Sequence, residues 1–570
     1  MLRIIKRYKI KIVLIALIIM IIQVLSDLSL PTLTSNIIDN GISKGNIKYI
    51  WKMGLIMLIF TIISLLAAII NSYISAKEAH RIGYDLREGV FKRGINFSRS
   101  AFESIGAASL INRSTNDVNQ VQLVLLFILR VALQAPVMAL GAAFLSFRIS
   151  PKLSQVFLIA IPIVLIASYL VVHFASPLFQ KMQKLTDKLN MIFREGLTGV
   201  RVIRAFNKSK HEEKRFDKTN RTYLGIGIKA NILTGLMFPL MLLILNGTSI
   251  FIIGIGAFLV SDRQVQVGNL VAFITYSAML LISFVLLTVI FILLPRAQVS
   301  AKRINQVLDT KDPIKNPQTA YSLSQKPITL AYKKVTFKYS QAKNTVLDQI
   351  NFSAKAGQTI AIIGGTGSGK STIAQLLLRY YDVTRGTIQI DKKDIRNLKI
   401  SDLRQKISYV PQTANLFEGT IRSNLLFGNH QASDKDLWQA LKIAQTSDFV
   451  SNLDNRVEQG GNNFSGGQKQ RLCIARAIVK KPQIYIFDDA FSALDFKTDS
   501  ALRRALKSVI KKSIVLIIAQ RVNTVTNADL ILVLEKGQVV GKGTDKQLRK
   551  SNKTYQAIIR SQEKTRTRIE

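Results

Sequence analysis

TIAIIGGTGSGKST, residues 359–372, sets an apolar, β-prone run directly before a glycine loop, with a helical pattern from Ser371 onward. Within it, Gly364-x4-Gly369-Lys370-Ser371 has the spacing of a phosphate-binding loop. Glycines let successive backbone N–H groups close on phosphate oxygens, and the helix N-terminus adds positive potential. Gly364, Gly365, Thr366, Gly367, Ser368 and Gly369 would form the cradle, with Thr372 at its helical end. Lys370 would bridge the β- and γ-phosphates, and Ser371 would ligate Mg²⁺. The second half of the chain is therefore expected to be an α/β P-loop NTPase domain binding ATP with Mg²⁺.

A matching element stands at IYIFDDAFSALD, residues 484–495. Four apolar residues run into Asp488 and Asp489, as in a buried parallel strand whose last carboxylate holds the Mg²⁺ shell. A helix N-cap is the other use of such an aspartate, and the phosphate loop upstream argues against it. Asp489 sits where a general base is wanted, one methylene shorter than glutamate.

Long uncharged runs crowd residues 1–296, whereas the remainder has the composition of a soluble domain. A membrane-spanning helix needs about 20 mostly apolar residues. Six segments qualify: 12–30, 53–76, 123–147, 153–178, 231–260 and 267–294. The fold class expected is thus a polytopic α-helical membrane domain, six transmembrane helices with long cytoplasmic extensions, plus the α/β domain. The connections 77–122 and 179–230 are long and rich in Lys and Arg, and the amino terminus MLRIIKRYKIK is also basic. Basic loops stay inside, which puts both termini and both long loops in the cytoplasm of a cell-membrane protein. No cleavable signal peptide is evident, since the first apolar run is too long. Helical patterning in 77–97 and 185–206 would carry the spans out as stalks. The domain plan read from this is 1–300 membrane, 301–325 linker (with Pro313 and Pro317), 326–560 nucleotide-binding and 561–570 tail.

The formal net charge is +43, from 78 basic and 35 acidic residues. Nucleic-acid binding would suit such a charge, but no nucleic-acid module is present. A basic cytoplasmic face beside anionic lipid accounts for it. The single cysteine, Cys473, excludes an intrachain disulfide framework and reads as buried filler. Arg130 and Asp27 lie within spans, where a charge is either functional or reaching for an interface or a water-filled cavity. His173 has no second metal ligand near it in sequence and reads as a partner within the bundle.

Between the phosphate loop and the 484–495 strand lies FSGGQKQRL, Phe464–Leu472. With it the chain resembles an ABC transporter, whose signature is Ser-Gly-Gly-Gln, here Ser465, Gly466, Gly467 and Gln468. The resemblance covers essentially all of the chain, in the half-transporter layout of an exporter. It implies that Tyr339, in VTFKY, stacks on adenine and that Gln412, in YVPQT, senses Mg²⁺ and the attacking water. EQGG at 458–461 resembles the loop before the signature that touches the membrane-domain stalks, and SALD at 492–495 matches the family's D-loop. The run NLDNRVEQGG is shorter than the family's usual one, which puts its local loop geometry in doubt. In the family two nucleotide domains meet head to tail, each ATP lying between one chain's phosphate loop and the other's signature. An obligate dimer follows. Coupling helices would lie near 98–106 and 205–216.

Two positions depart from the family's catalytic pattern. Asp489 replaces the usual glutamate, and Gln520, in IIAQRV, replaces a histidine that contacts the γ-phosphate. Glutamine can hydrogen-bond there but cannot carry a positive charge. The pair resembles the degenerate-site subunit of heterodimeric bacterial multidrug exporters: ATP is bound but slowly hydrolysed, and the intact signature completes the partner's site. The reading that results is a subunit of an ATP-driven efflux transporter for amphipathic drugs or lipids, paired with a second half-transporter. A homodimeric lipid or peptide exporter, and an ATP-gated channel or regulatory subunit, are the alternatives.

Overall fold

The computed structural model describes residues 10–317, 321, 328–340 and 342–566. The basic stretch 1–9, linker residues 318–320 and 322–327, and tail residues 567–570 lie outside the described residues. The chain forms two compact units, Met1–Asn96 with Ile105–Thr310, and Phe97–Ser104 with Lys311–Glu570.

The first unit holds six helical spans: Lys11–Ile42, Ile47–Ile95, Ala107–Ile149, Pro151–Thr198, Ser209–Ser261 and Val267–Leu287. The second, fourth and fifth run to 49, 48 and 53 residues. At 1.5 Å per residue these reach roughly 70–80 Å, against about 30 Å of hydrocarbon, so much of each lies beyond the bilayer. Of the stalk extensions read from the sequence, 77–97 is unbroken helix as far as Ile95, whereas 185–206 breaks at Gly199 between the helices Phe157–Thr198 and Val200–Ala205. Large apolar side chains such as Leu158, Phe251 and Phe258 are exposed, as lipid-facing positions should be. Inside, Met20, Val24 and Leu28 pack with Phe157, Phe273 and Tyr276. The rings of Phe157 and Phe273 stack at 5.3 Å, and the Tyr276 hydroxyl donates to the Leu28 carbonyl at 2.6 Å.

Of the charges within spans, Asp27 accepts a hydrogen bond from Ser64 Oγ at 2.5 Å, tying the first span to the second. Arg130 is exposed on a π-helical turn, Ile128–Ala132, that interrupts the third span. His173 sits between Tyr169 and Phe174, with ring centroids 5.6 and 5.3 Å away. The linker expected from 301 begins later, because the helix that starts at Val267 continues to Asp309. Its last turns are held by Ala297, Ala301, Ile304 and Val307, all fully buried. This spacing is amphipathic rather than uniformly apolar, so it escapes a search for spans.

In the second unit β1 (Thr329–Phe337), β2 (Leu347–Lys355), β4 (Arg385–Ile390) and β5 (Lys393–Asp394) form an antiparallel sheet in the order β2-β1-β4-β5. A larger sheet runs β12-β11-β3-β10-β9-β6. Its members are β3 (Thr359–Gly364), β6 (Ile407–Val410), β9 (Ile484–Asp488), β10 (Ile514–Ala519), β11 (Leu530–Glu535) and β12 (Gln538–Gly543). A short pair, β7 (Gly419–Thr420) and β8 (Arg456–Val457), stands apart. β11, β3, β10, β9 and β6 are mutually parallel, and β12 closes one edge antiparallel. The central strands IAII, IYIF and VLII are apolar throughout because helices cover both faces of such a sheet. Parallel strands also present all their carboxyl ends on one edge, which is where ligands bind in sheets of this kind.

Candidate nucleotide site

Four of the motifs read from the sequence leave that edge. The phosphate loop follows β3, Gln412 follows β6, Asp489 follows Asp488 at the end of β9, and Gln520 follows β10. Together they line one cavity of about 310 Å³: Val346, Thr366, Gly367, Gly369, Lys370, Ser371, Thr372, Gln412, Asp488, Asp489, Ile518 and Gln520.

The loop geometry requires glycine at two places. Gly369 has φ +96°, and a Cβ there would lie 2.7 Å from Leu347 Cδ2 and 2.9 Å from the Val346 carbonyl. A Cβ on Gly364 would collide with the Leu534 carbonyl. Lys370 is buried and donates to the Gly364 and Gly365 carbonyls at 2.9 and 2.6 Å. Burial pushes its ammonium down from the ordinary lysine range, while Asp489 and Asp488 pull the other way. The helix Lys370–Leu377 starts at this point and aims its N-terminus at the loop.

Ser371 Oγ donates to Asp488 Oδ1 at 2.9 Å, and the Tyr409 hydroxyl donates to Oδ2 at 3.1 Å. Burial still pushes the Asp488 carboxyl above the usual range, with these two bonds acting against it. A hydroxyl beside a buried carboxylate fits Mg²⁺, which takes one or two protein ligands and the rest from phosphate and water. No cluster of three or more acidic, His or Cys side chains exists among the described residues, so no all-protein cage competes. Ser368 Oγ is buried in the loop without a hydrogen-bond partner, an orphan that a phosphate oxygen would satisfy. These residues fit ATP and Mg²⁺.

Asp489 adopts φ +50°, the left-handed region that aspartate tolerates better than most side chains. Its backbone N–H donates to the Ile518 carbonyl at 2.8 Å. Gln412 Nε2 reaches Asp489 Oδ2 at 3.3 Å, and burial pushes this carboxyl up as well. Gln520 lines the cavity from the end of β10, between the phosphate loop after β3 and Asp489 after β9.

Two expected groups stand outside the cavity wall. Tyr339 lies beside it, its hydroxyl 3.1 Å from Thr372 Oγ1 and 3.3 Å from Gln375 Oε1. Ser465 caps the helix Gly466–Val479 in a capping box with Gln468, so the signature does not line this chain's own cavity. That helix nevertheless ties to the Gln412 loop, since Gln470 Nε2 donates to the Pro411 carbonyl at 3.1 Å. Tyr409, Val346 and Ile518 are site residues that no motif announced. Tyr409 stands three residues before Gln412, and a β-strand tyrosine carries no signal of its own.

The segment Phe97–Ser104 belongs to the second unit, and it overlaps the first expected coupling position. Ser98 N–H donates to Asp312 Oδ2 at 2.5 Å, and the Tyr381 hydroxyl donates to Glu103 Oε2 at 2.9 Å. Tyr381 in turn meets Tyr339 edge-on, with ring centroids 5.1 Å apart. The second coupling position lies in the first unit, where Val202 and Phe206 are 61% and 72% exposed.

Comparison with known proteins follows the same division. The family described as ABC transporter transmembrane region matches residues 13–305, and that described as ABC transporter matches 347–492. An uncharacterized ABC transporter ATP-binding protein of Mycobacterium tuberculosis is 36% identical, over 95% of this chain and 94% of its own length. YfiB of Bacillus subtilis, described in the same words, is 36% identical over 96% of each chain. A putative export ATP-binding/permease protein of Rickettsia felis is 32% identical over 92% of each. Among solved structures, a bacterial Atm1-family ABC exporter with ATP bound has the same fold. Its TM-score is 0.82 at 23% identity, covering 97% of this chain and 98% of that one.

Proposed function

The chain belongs to the ABC transporter family as an exporter half-transporter, and from that premise we propose that it binds ATP at a weakly hydrolysing site and works with a different, hydrolytically competent partner. The observation that carries this is the pairing of Asp489 with Gln520 in one cavity that also holds the phosphate loop, Ser371, Gln412 and Asp488.

In this reading the loop 364–372 would take the phosphates, Lys370 would neutralise their charge, and Ser371, Asp488 and Gln412 would hold Mg²⁺. Bound Mg²⁺ supplies charge neutralisation at the phosphates. Lys370 would exchange two loop carbonyls for phosphate oxygens, which are stronger acceptors. Tyr339 offers its ring to adenine. Asp489 orients water less well than a glutamate would, and Gln520 gives the γ-phosphate a neutral hydrogen bond in place of a charged one. Ser465–Gln468 lies outside the lining of this site and would complete the partner's. ATP binding would favour the closed, outward-open pair, and hydrolysis at the competent site would reset it.

The exposed Val202 and Phe206 support a partner that covers the second coupling position, and the bond from Tyr381 to Glu103 supports the first. The cargo would be amphipathic drugs or lipids, given spans with few charges. The assembly would sit in the cytoplasmic membrane with both termini and the nucleotide domain inside.

The test is ATP hydrolysis by the purified full-length chain in lipid nanodiscs, alone and with a half-transporter carrying glutamate and histidine at the two positions. Negligible turnover alone and strong turnover in the pair is expected. Sustained turnover by the chain alone would overturn the heterodimer and favour a homodimeric exporter.

A further inference from the structure

We propose that Gln562, on the C-terminal helix Lys553–Arg566, is a positioning residue of the ATP site, holding the loop that presents Gln520. The proposal rests on Gln520 meeting the γ-phosphate and is independent of how fast this site hydrolyses.

Between the end of β10 at Ala519 and the short helix Val522–Val525 the chain spends two residues, Gln520 and Arg521, outside regular structure. Such a junction leaves backbone groups without partners: a carbonyl past the strand end, and an N–H in the first turn of a helix. One amide meets both. Gln562 Oε1 accepts from Val522 N–H at 2.9 Å, and Gln562 Nε2 donates to the Gln520 carbonyl at 2.7 Å. The two bonds bracket Arg521 and fix the backbone on which the Gln520 side chain turns into the cavity.

The C-terminal helix is itself firmly seated. Tyr555 is fully buried, its hydroxyl donates to Asp545 Oδ1 at 2.6 Å, and its N–H donates to Asn552 Oδ1 at 2.8 Å. Ile558 and Ile559 pack on the cluster that includes Ile363, Ala519, Val522 and Val525. Residues 555, 558, 559 and 562 share one helical face, so the stripe that anchors the helix ends on the glutamine. Ile363 precedes the phosphate loop directly, and the same helix therefore lies under the ends of both β3 and β10. The stretch expected as a tail from 561 thus contains a residue bonded to the site.

The measurement is affinity for ADP and for a non-hydrolysable ATP analogue, with Mg²⁺, on the full-length chain in nanodiscs. Gln562→Ala should weaken the ATP analogue about fivefold, the worth of one hydrogen bond, and leave ADP unchanged because ADP has no γ-phosphate. Gln562→Glu keeps the acceptor for Val522 and loses the donor to Gln520. It should show the same selective loss, and it carries the test should the alanine variant fail to fold. Gln520→Ala with Gln562→Ala should bind the analogue no more weakly than Gln520→Ala alone, since one acts through the other. Equal weakening of both nucleotides, additive losses in the double variant, or unchanged analogue affinity would each overturn the proposal. Hydrolysis is not read, so unexpected turnover by this chain would count against the heterodimer and leave Gln562 standing.

Discussion

On the proposed reading, restoring the family's residues at both departures, Asp489→Glu with Gln520→His, should raise hydrolysis at this site. Gln412 Nε2 lies 3.3 Å from Asp489 Oδ2, whereas hydrogen bonds to a carboxylate of this kind close to about 2.8 Å. The carboxylate thus sits short of its neighbour by about 0.5 Å before any water is considered. One added methylene advances it by roughly 1 Å, and a misplacement of that size costs about a hundredfold in rate. At 520, exchanging a neutral hydrogen bond for a charged one is worth about 1 kcal/mol, or about fivefold. The two together give about 500-fold, near 3.7 kcal/mol of barrier.

The gain carries a structural cost. Residue 489 has φ +50°, and glutamate tolerates the left-handed region less well than aspartate. Asp489→Glu should therefore lose about 1 kcal/mol of stability, visible as a lower Tm. Phosphate release at saturating ATP from the full-length chain in nanodiscs reads the rate, with each single variant as control. Every copy carries FSGGQ, so a self-pair lacks nothing else that the motifs supply. A wild-type chain that already hydrolyses as fast as the double variant would refute the reasoning.

Other outcomes follow from the same cavity. Lys370→Ala removes a buried cation from the phosphate loop, and ATP affinity measured by displacement of a fluorescent analogue should fall about ten- to a hundredfold. Asp488→Asn should abolish the Mg²⁺-dependent part of ATP affinity while raising the Tm of the nucleotide-free chain at neutral pH. Burial raises the folded-state pKa of Asp488 above its unfolded value, so the folded chain binds the extra proton and stability falls as pH rises between the two. The amide removes that penalty, and a Tm gain confined to pH above the carboxylate range checks the sign. Tyr381→Phe deletes the hydrogen bond to Glu103 and keeps the ring against Tyr339. ATP affinity should stay within about twofold while export of a fluorescent amphiphile by the reconstituted pair declines.

The residues legible from sequence are those whose chemistry is carried by local pattern. Gly364-x4-Gly369-Lys370-Ser371 and Asp488 announce themselves by spacing, and β3 and β9 by apolar runs too short for spans. What escaped depends on partners distant in the chain. Tyr409 matters because parallel pairing of β6 with β9 brings its hydroxyl to Asp488, and nothing within YVPQT encodes that pairing. Gln562 looked like one polar residue in a charged tail until its amide met a loop some forty residues earlier. The helix past 301 was hidden by a change of solvent. Beyond the bilayer a helix needs only one apolar face, and Ala301, Ile304 and Val307 supply it. The π-helical turn that carries Arg130 has no sequence signature at all.

Asp489 and Gln520 share one more property. Their stretch of chain is held by main-chain bonds, Asp489 N–H to the Ile518 carbonyl and the Gln520 carbonyl to Gln562, neither of which uses the side chain at 489 or 520. Either side chain can be exchanged with these two bonds kept, although the side chain at 489 also meets Gln412. In the genetic code, glutamate and aspartate are separated by a third-position change, and so are histidine and glutamine. A lineage could cross from a hydrolysing to a retaining site in single-letter steps, and the step at 489 from glutamate to aspartate would relieve left-handed backbone strain rather than add to it. In a heterodimer of the kind proposed, these two main-chain bonds would place little constraint on which side chain stands at 489 or 520 in either subunit.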